Sequence, residues 1–119
     1  MILVDTSVWI DHFRQGEERL LELLEAKSVV THPLIIEKLA CGHLKSRREI
    51  IHLMQTLPSA PAVSHQEILF LIDQRTLYGA GLGAIDVHLI AAAMLGGTLL
   101  WSKDKAMTRE ARRLGFCAD

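Results

Sequence analysis

The chain is most constrained by the way Ile2, Leu3 and Val4 end abruptly in Asp5, Thr6 and Ser7. An unbroken apolar run of this kind reads as a short strand buried on both faces, as in a parallel sheet. Val8, Trp9, Ile10 and Phe13 then recur at helical spacing. Strand, polar turn, helix is an α/β opening, and it sets a carboxylate at the carboxyl end of a strand. In open parallel sheets that edge is where ligands bind. Taken alone, Asp5 is equally well explained as a helix N-cap, a role that suits Asp and Ser. The balance turns on whether other carboxylates reach the same edge.

The rest of the chain repeats the alternation. Leu20, Leu21, Leu23 and Leu24 form one broad helical face, and Ser28–Thr31 reads as a second short strand. Pro33 suits a first helical position, opening a helix that stops near Gly42. Ser46 with Glu49, and Ser64 with Glu67, have capping-box spacing ahead of further helices. A short strand is expected at Ala60–Val63. Gly79–Gly83 is a flexible connection; it lacks Gly-Lys-Ser/Thr and does not follow a strand, so it is not a phosphate loop. A helix from about Ala84 to Leu95 ends at Gly96-Gly97, and Thr98–Trp101 is a third strand followed by the polar turn Ser102-Lys103-Asp104. The last helix holds Met107, Ala111 and Leu114, with an edge strand expected at Phe116-Cys117. Alternating strands and helices imply a parallel sheet covered by helices on both faces.

Length and charge bound the function classes. A chain of 119 residues, half of them hydrophobic, is expected to be one globular domain, residues 1–119. Thirteen basic and 14 acidic residues give a formal net charge of −1, which neither demands nor excludes a nucleic-acid partner. No apolar run reaches membrane-spanning length and no basic leader precedes the first strand, so a cytoplasmic protein is expected. Cys41 and Cys117 are too few for a disulfide framework, and the six histidines contain no i, i+4 pair, so a zinc site is not expected.

Four acids point to one edge. Asp104 repeats the position of Asp5, just beyond a buried strand. Glu37 lies about one turn into the helix after the second strand, and Asp86 is in the first turn of the helix after the glycine-rich connection. Each is individually explicable by the helix dipole. Together they are costly: two carboxylates about 5 Å apart at an effective dielectric near 20 repel by roughly 3 kcal/mol. A hard divalent cation relieves this, and Mg²⁺ or Mn²⁺ matches oxygen ligands. Ser7 could orient a water or a phosphate. Apart from the four acids, 13 basic face 10 acidic residues. Lys103, Lys105, Arg109, Arg112 and Arg113 lie beside Asp104, suited either to a solvated face or to a rim that touches a phosphate backbone.

These residues resemble a known family. Asp5-Thr6-Ser7 after an N-terminal strand, Glu37 after a Pro-started helix, Asp86 in D-V-H-L-I-A-A-A and Asp104 in L-L-W-S-K-D-K are similar to a PIN domain, most closely the VapC group of toxin–antitoxin ribonucleases. The resemblance covers essentially the whole chain. It implies a PIN-like three-layer α/β/α sandwich with a central, mainly parallel sheet. It implies a Mg²⁺- or Mn²⁺-dependent endoribonuclease that cuts RNA phosphodiesters, forms a homodimer and is inhibited by a VapB-type antitoxin. Carried over, Asp5, Glu37, Asp86 and Asp104 are the catalytic and metal-binding acids, assisted by Ser7. The chain departs from the pattern after Asp104: many members carry a second acid two residues on and then Phe, where Ala106 and Met107 stand here. Rival readings are a catalytically weak PIN-like module that binds RNA or protein, and another Mg²⁺-dependent phosphoryl hydrolase. A dehalogenase-like phosphatase would carry a second Asp where Ser7 stands.

Overall fold

Three short parallel strands frame the molecule: β1 (Ile2–Val4), β2 (Val29–Val30) and β3 (Leu99–Trp101), in the order β2-β1-β3. The computed structural model describes residues 1–118. The N-terminal run is the central strand. Leu3 lies opposite Val30 on one side and Leu100 on the other, and Val4 opposite Trp101. Leu3 and Val4 are wholly buried, as an apolar run flanked by strands on both sides requires. Because the order runs 2-1-3, the chain leaves β1 in one direction and comes back on its other side. The crevice beyond the carboxyl ends of β1 and β3 is therefore the topological switch point, the expected ligand position in such a sheet.

Seven helices complete an α/β sandwich: α1 (Thr6–Gln15), α2 (Glu18–Glu25), α3 (Pro33–Cys41), α4 (Arg47–Gln55), α5 (His65–Gln74), α6 (Ala84–Gly96) and α7 (Lys105–Leu114). Helix α1 packs on α3, α3 on α4 and α5 on α6, while α6 and α7 lie against β3. Helix α6 is apolar nearly all round and buries Val87, Leu89, Ile90, Ala91, Ala92 and Ala93, as a central helix must. Trp9 is buried, its indole N–H donating to the Val4 carbonyl at 3.1 Å and its ring stacked on Phe13. Trp101 is half-buried beneath the Arg19 guanidinium, 4.6 Å from its ring centre. Neither Cys41 nor Cys117 is in a disulfide.

Three local expectations are corrected. Ser46 adopts a left-handed backbone, φ 57° and ψ 38°, and its hydroxyl caps nothing. A capping hydroxyl needs extended backbone to face the helix N–H groups. Ser64 has that backbone and makes both reciprocal bonds of the box with Glu67. The strand expected at Ala60–Val63 is reduced to a single bridge between Thr31 and Ser59, because Pro61 supplies no ladder N–H. The edge strand at Phe116-Cys117 is likewise one bridge, between Leu100 and Cys117.

Candidate functional site

The carboxyl ends of β1 and β3 are joined by side chains. Asp5 is the N-cap of α1, its Oδ1 accepting the Thr6 N–H at 2.8 Å. Its Oδ2 accepts the Ser102 hydroxyl at 2.7 Å and the Ser7 hydroxyl at 3.0 Å. Ser102 Oγ in turn accepts the Asp104 N–H at 3.0 Å, and Ser7 Oγ accepts the Lys103 N–H at 2.9 Å. The turn after β3 is thereby laced to the turn after β1. Asp104 is the N-cap of α7, its Oδ1 accepting the Met107 N–H at 2.9 Å. Asp5, Ser7 and Asp104 thus share one hydrogen-bonded net, with Asp5 buried and Asp104 exposed.

Asp86 is placed by a different route. It stands in the first turn of α6 and its Oδ2 accepts the Gly83 N–H at 2.8 Å. The connection that precedes α6 lies on the start of α7: a Cβ placed on Gly81 would sit 3.7 Å from the Ala106 methyl. Arg109 pins the same connection by donating to the Ala80 carbonyl. Glu37 is exposed on α3 and has no hydrogen bond or ion pair among the described residues. Its tie to the site is the packing of α3 on α1, the helix that Asp5 caps. No three His, Cys, Asp or Glu side chains are gathered into an ion cage among the described residues.

Among the described residues, ion pairs fall on Asp11, Glu17 and Glu110 and on none of Asp5, Glu37, Asp86 or Asp104. Lys103 bridges Asp11 at 3.0 Å and Glu17 at 2.6 Å, and these partners hold its ammonium above the ordinary lysine range. Asp11 therefore serves the turn after β3. Lys103 belongs to the scaffold of that turn as much as to any rim. A cleft of about 450 Å³ beside Asp104 is lined by Lys103, Lys105, Thr108, Arg109 and Arg112.

The donor set fits a hard, hydrated cation. It offers carboxylate and hydroxyl oxygen without sulfur or imidazole, and Asp86 and Asp104 each accept a backbone N–H on one carboxylate oxygen. Mg²⁺ keeps several waters and needs only one or two carboxylates directly, so a set that is spread out still suits it. Sequence reasoning passed over Ser102. The available signal was a small hydroxyl immediately after a buried strand, two residues before an acid.

The chain is similar to known proteins. The family profile described as PIN domain matches residues 2–113. Ribonuclease VapC32 of Mycobacterium tuberculosis, strain CDC 1551 / Oshkosh, is 47% identical over 108 residues, 90% of this chain and 87% of the relative. The Ribonuclease VapC32 of strain ATCC 25618 / H37Rv matches to the same extent.

Proposed function

The chain belongs to the PIN-domain family, and from that premise we propose that it is a Mg²⁺- or Mn²⁺-dependent endoribonuclease, the VapC-type toxin of a toxin–antitoxin pair. The likeness to a ribonuclease over nine-tenths of the chain supports the substrate class. One observation carries the site: Asp5, a buried carboxylate at the β1–β3 switch point, is held by two hydroxyls with no protein cation beside it. A carboxylate so placed is costly unless a cation completes it.

Asp5, Glu37, Asp86 and Asp104 are the residues that would hold the cation. The chemistry such a cation supplies when bound is activation of water for attack on phosphorus and relief of charge at the leaving oxygen. The chain's own groups position. Ser7 and Ser102 fix the Asp5 carboxylate, and their backbone bonds to 103 and 104 hold the two turns in register. The basic cleft receives the RNA backbone beside Asp104, contacting phosphates without reading bases. Residues 1–119 act as one domain, in the cytoplasm; no helix among the described residues is long and apolar enough to cross a membrane.

Two partners follow. A second copy covers the face where α5 meets α6, which exposes Phe70 at 66% and Leu95 at 61% around a groove of about 340 Å³. A VapB-type antitoxin inhibits by sending a basic or polar tail among the acids. The purified chain should cut single-stranded or looped RNA with Mg²⁺ or Mn²⁺, stop with EDTA and lose activity in Asp104→Asn. Cleavage that persists both in EDTA and in Asp104→Asn overturns the site.

A further inference from the structure

The segment between α5 and α6, residues 75–83, takes its course from another helix. Thr76, Gly79 and Gly81 all have left-handed backbone, with φ of 54°, 68° and 78°. Helix α7 holds the segment at three points. Arg113 Nη2 donates to the Arg75 carbonyl at 2.6 Å, and Arg109 Nη2 donates to the Ala80 carbonyl. Gly81 lies close to the Ala106 methyl, 3.7 Å from where its own Cβ would stand. The segment then delivers Asp86, whose Oδ2 accepts the Gly83 N–H at 2.8 Å. Helix α7 is the one that Asp104 caps. Two of the four acids are therefore carried by pieces of chain that are fastened to each other.

Glu110 organises the two arginine bonds. It is only 5% exposed. Its Oε2 accepts the Arg109 Nε–H at 3.0 Å and its Oε1 the Arg113 Nε–H at 2.8 Å. One carboxylate thus holds the Nε edge of both guanidinia. A guanidinium is a rigid plane, so this aims the Nη2 edge of each at its carbonyl. Stability alone is a poor reason for the arrangement. Taking a carboxylate out of water is expensive, and apolar residues of similar volume often serve as well. Helix α7 is already anchored by Met107 and Ala111, both buried in the core. Apolar contacts do not fix two main-chain carbonyls at set points along a helix; a carboxylate with two guanidinium forks does.

We propose that Glu110 is a positioning residue of the acidic site: through Arg109 and Arg113 it sets the register of residues 75–83 on α7, and so places Asp86 relative to Asp104. The inference rests on the acidic site proposed above. Glu110 itself touches neither cation nor RNA.

The test uses the full chain with Mn²⁺ as probe, free Mn²⁺ being read by electron paramagnetic resonance, and RNA cleavage measured alongside. All readings are taken well below the melting point of every variant. Glu110→Gln keeps the shape but has one acceptor oxygen, so one arginine bond is given up. It should weaken Mn²⁺ binding about tenfold, the low end for groups that support metal ligands. It should lower kcat with KM for RNA little changed. Arg113→Lys preserves every charge, but an ammonium lacks the planar fork that spans Glu110 and the Arg75 carbonyl. It should weaken Mn²⁺ by a smaller factor, since Arg109 still holds Ala80. In an Asp86→Asn chain, Glu110→Gln should cost little further Mn²⁺ affinity, because the clamp then has no ligand to place. Leu20→Ala, which opens the core at α2, should melt at least as low as Glu110→Gln and bind Mn²⁺ like wild type. Wild-type Mn²⁺ affinity in Glu110→Gln or Arg113→Lys overturns the proposal. So does an equal loss in Leu20→Ala, or the full loss repeated in the Asp86→Asn chain; Glu110 would then serve stability alone. If Glu110→Gln does not fold, Arg113→Lys carries the comparison. A wild-type chain without Mn²⁺ affinity overturns the acidic site and the role of Glu110 with it. The expected Mn²⁺ losses in a chain that cuts no RNA leave Glu110 in its role and overturn the ribonuclease alone.

Discussion

The two oxygens of Asp5 have separate tasks. Oδ1 caps α1 through the Thr6 N–H, and an asparagine carbonyl would do the same. Oδ2 takes the hydroxyls of Ser7 and Ser102; an asparagine amide there would donate, and both hydroxyls would have to turn and accept. Each already accepts one backbone N–H, and a hydroxyl oxygen has a second lone pair. Asp5→Asn therefore keeps the fold and removes a buried charge. Its metal-free melting point should match or exceed wild type, with RNA cleavage abolished and the response to Mg²⁺ reduced. Thermal melts with and without Mg²⁺, beside a cleavage assay, check this; a residue that only caps would leave all three unchanged. Ser102→Ala acts on the same carboxylate indirectly. It removes a donor to Asp5 and the acceptor of the Asp104 N–H, and should weaken metal binding or activity by about 10- to 100-fold.

Helix α7 is held in place by an acid that sequence reasoning never singled out. Glu110 is buried on α7 and pairs with Arg109 at 3.0 Å and Arg113 at 2.8 Å. Those arginines also donate to the carbonyls of Ala80 and Arg75, in the chain after α5. The Arg109 bond, with that of Arg113, holds the Glu110 carboxyl below its ordinary value near 4.5 against the opposing effect of burial. With the folded value depressed, the unfolded chain binds the proton more tightly. The stabilisation is thus full above pH about 4.5 and is lost as pH falls through the folded value. Glu110→Gln should cost about 1–2 kcal/mol at neutral pH, the lower part of the range because both guanidinia are about half exposed. It should also flatten the acid limb of stability below pH about 4.5, as urea melts at stepped pH would record. The contrast shows which features a sequence carries. Apolar runs ending in Asp5 and in Ser102-Lys103-Asp104 announce strands, and parallel strands must bring those ends together. The Ser64–Glu67 box is local and was legible, whereas Ser46 has the same spacing and fails on backbone conformation alone. The Ser102 bridge and the Lys103–Asp11–Glu17 cluster depend on partners up to 97 residues apart, which no local pattern encodes. Glu37 and Asp86 were assigned to the edge by helix order, and their placement rests on how α3 and α6 pack.

Across the whole molecule, two associations should raise stability, and they can be separated. A cation that binds the folded chain alone stabilises it by mass action, about 2.7 kcal/mol at a hundredfold excess over its dissociation constant. For a chain of 119 residues that corresponds to roughly 10 °C in melting point. The second copy proposed for the α5–α6 face would also stabilise, with an effect that grows with protein concentration. Phe70→Glu sets a charge on that face, where the wild-type ring is 66% exposed, and should give a monomer by sedimentation at every concentration tested. Its melting point should lose concentration dependence while keeping the full rise with Mg²⁺, because Phe70 is on α5 and the acids stand at the ends of β1 and β3 and on α3 and α6. Asp104→Asn should do the reverse: the cap survives as an amide carbonyl, the dimer persists, and the Mg²⁺ rise shrinks. Equal ionic strength from KCl must leave all three proteins unmoved relative to one another, since screening acts on every surface charge and a bound cation acts at one place. A wild-type melting point that millimolar Mg²⁺ and Mn²⁺ leave where KCl leaves it would mean that the four unpaired acids hold no cation. The switch-point carboxylate would then be a cap and nothing more.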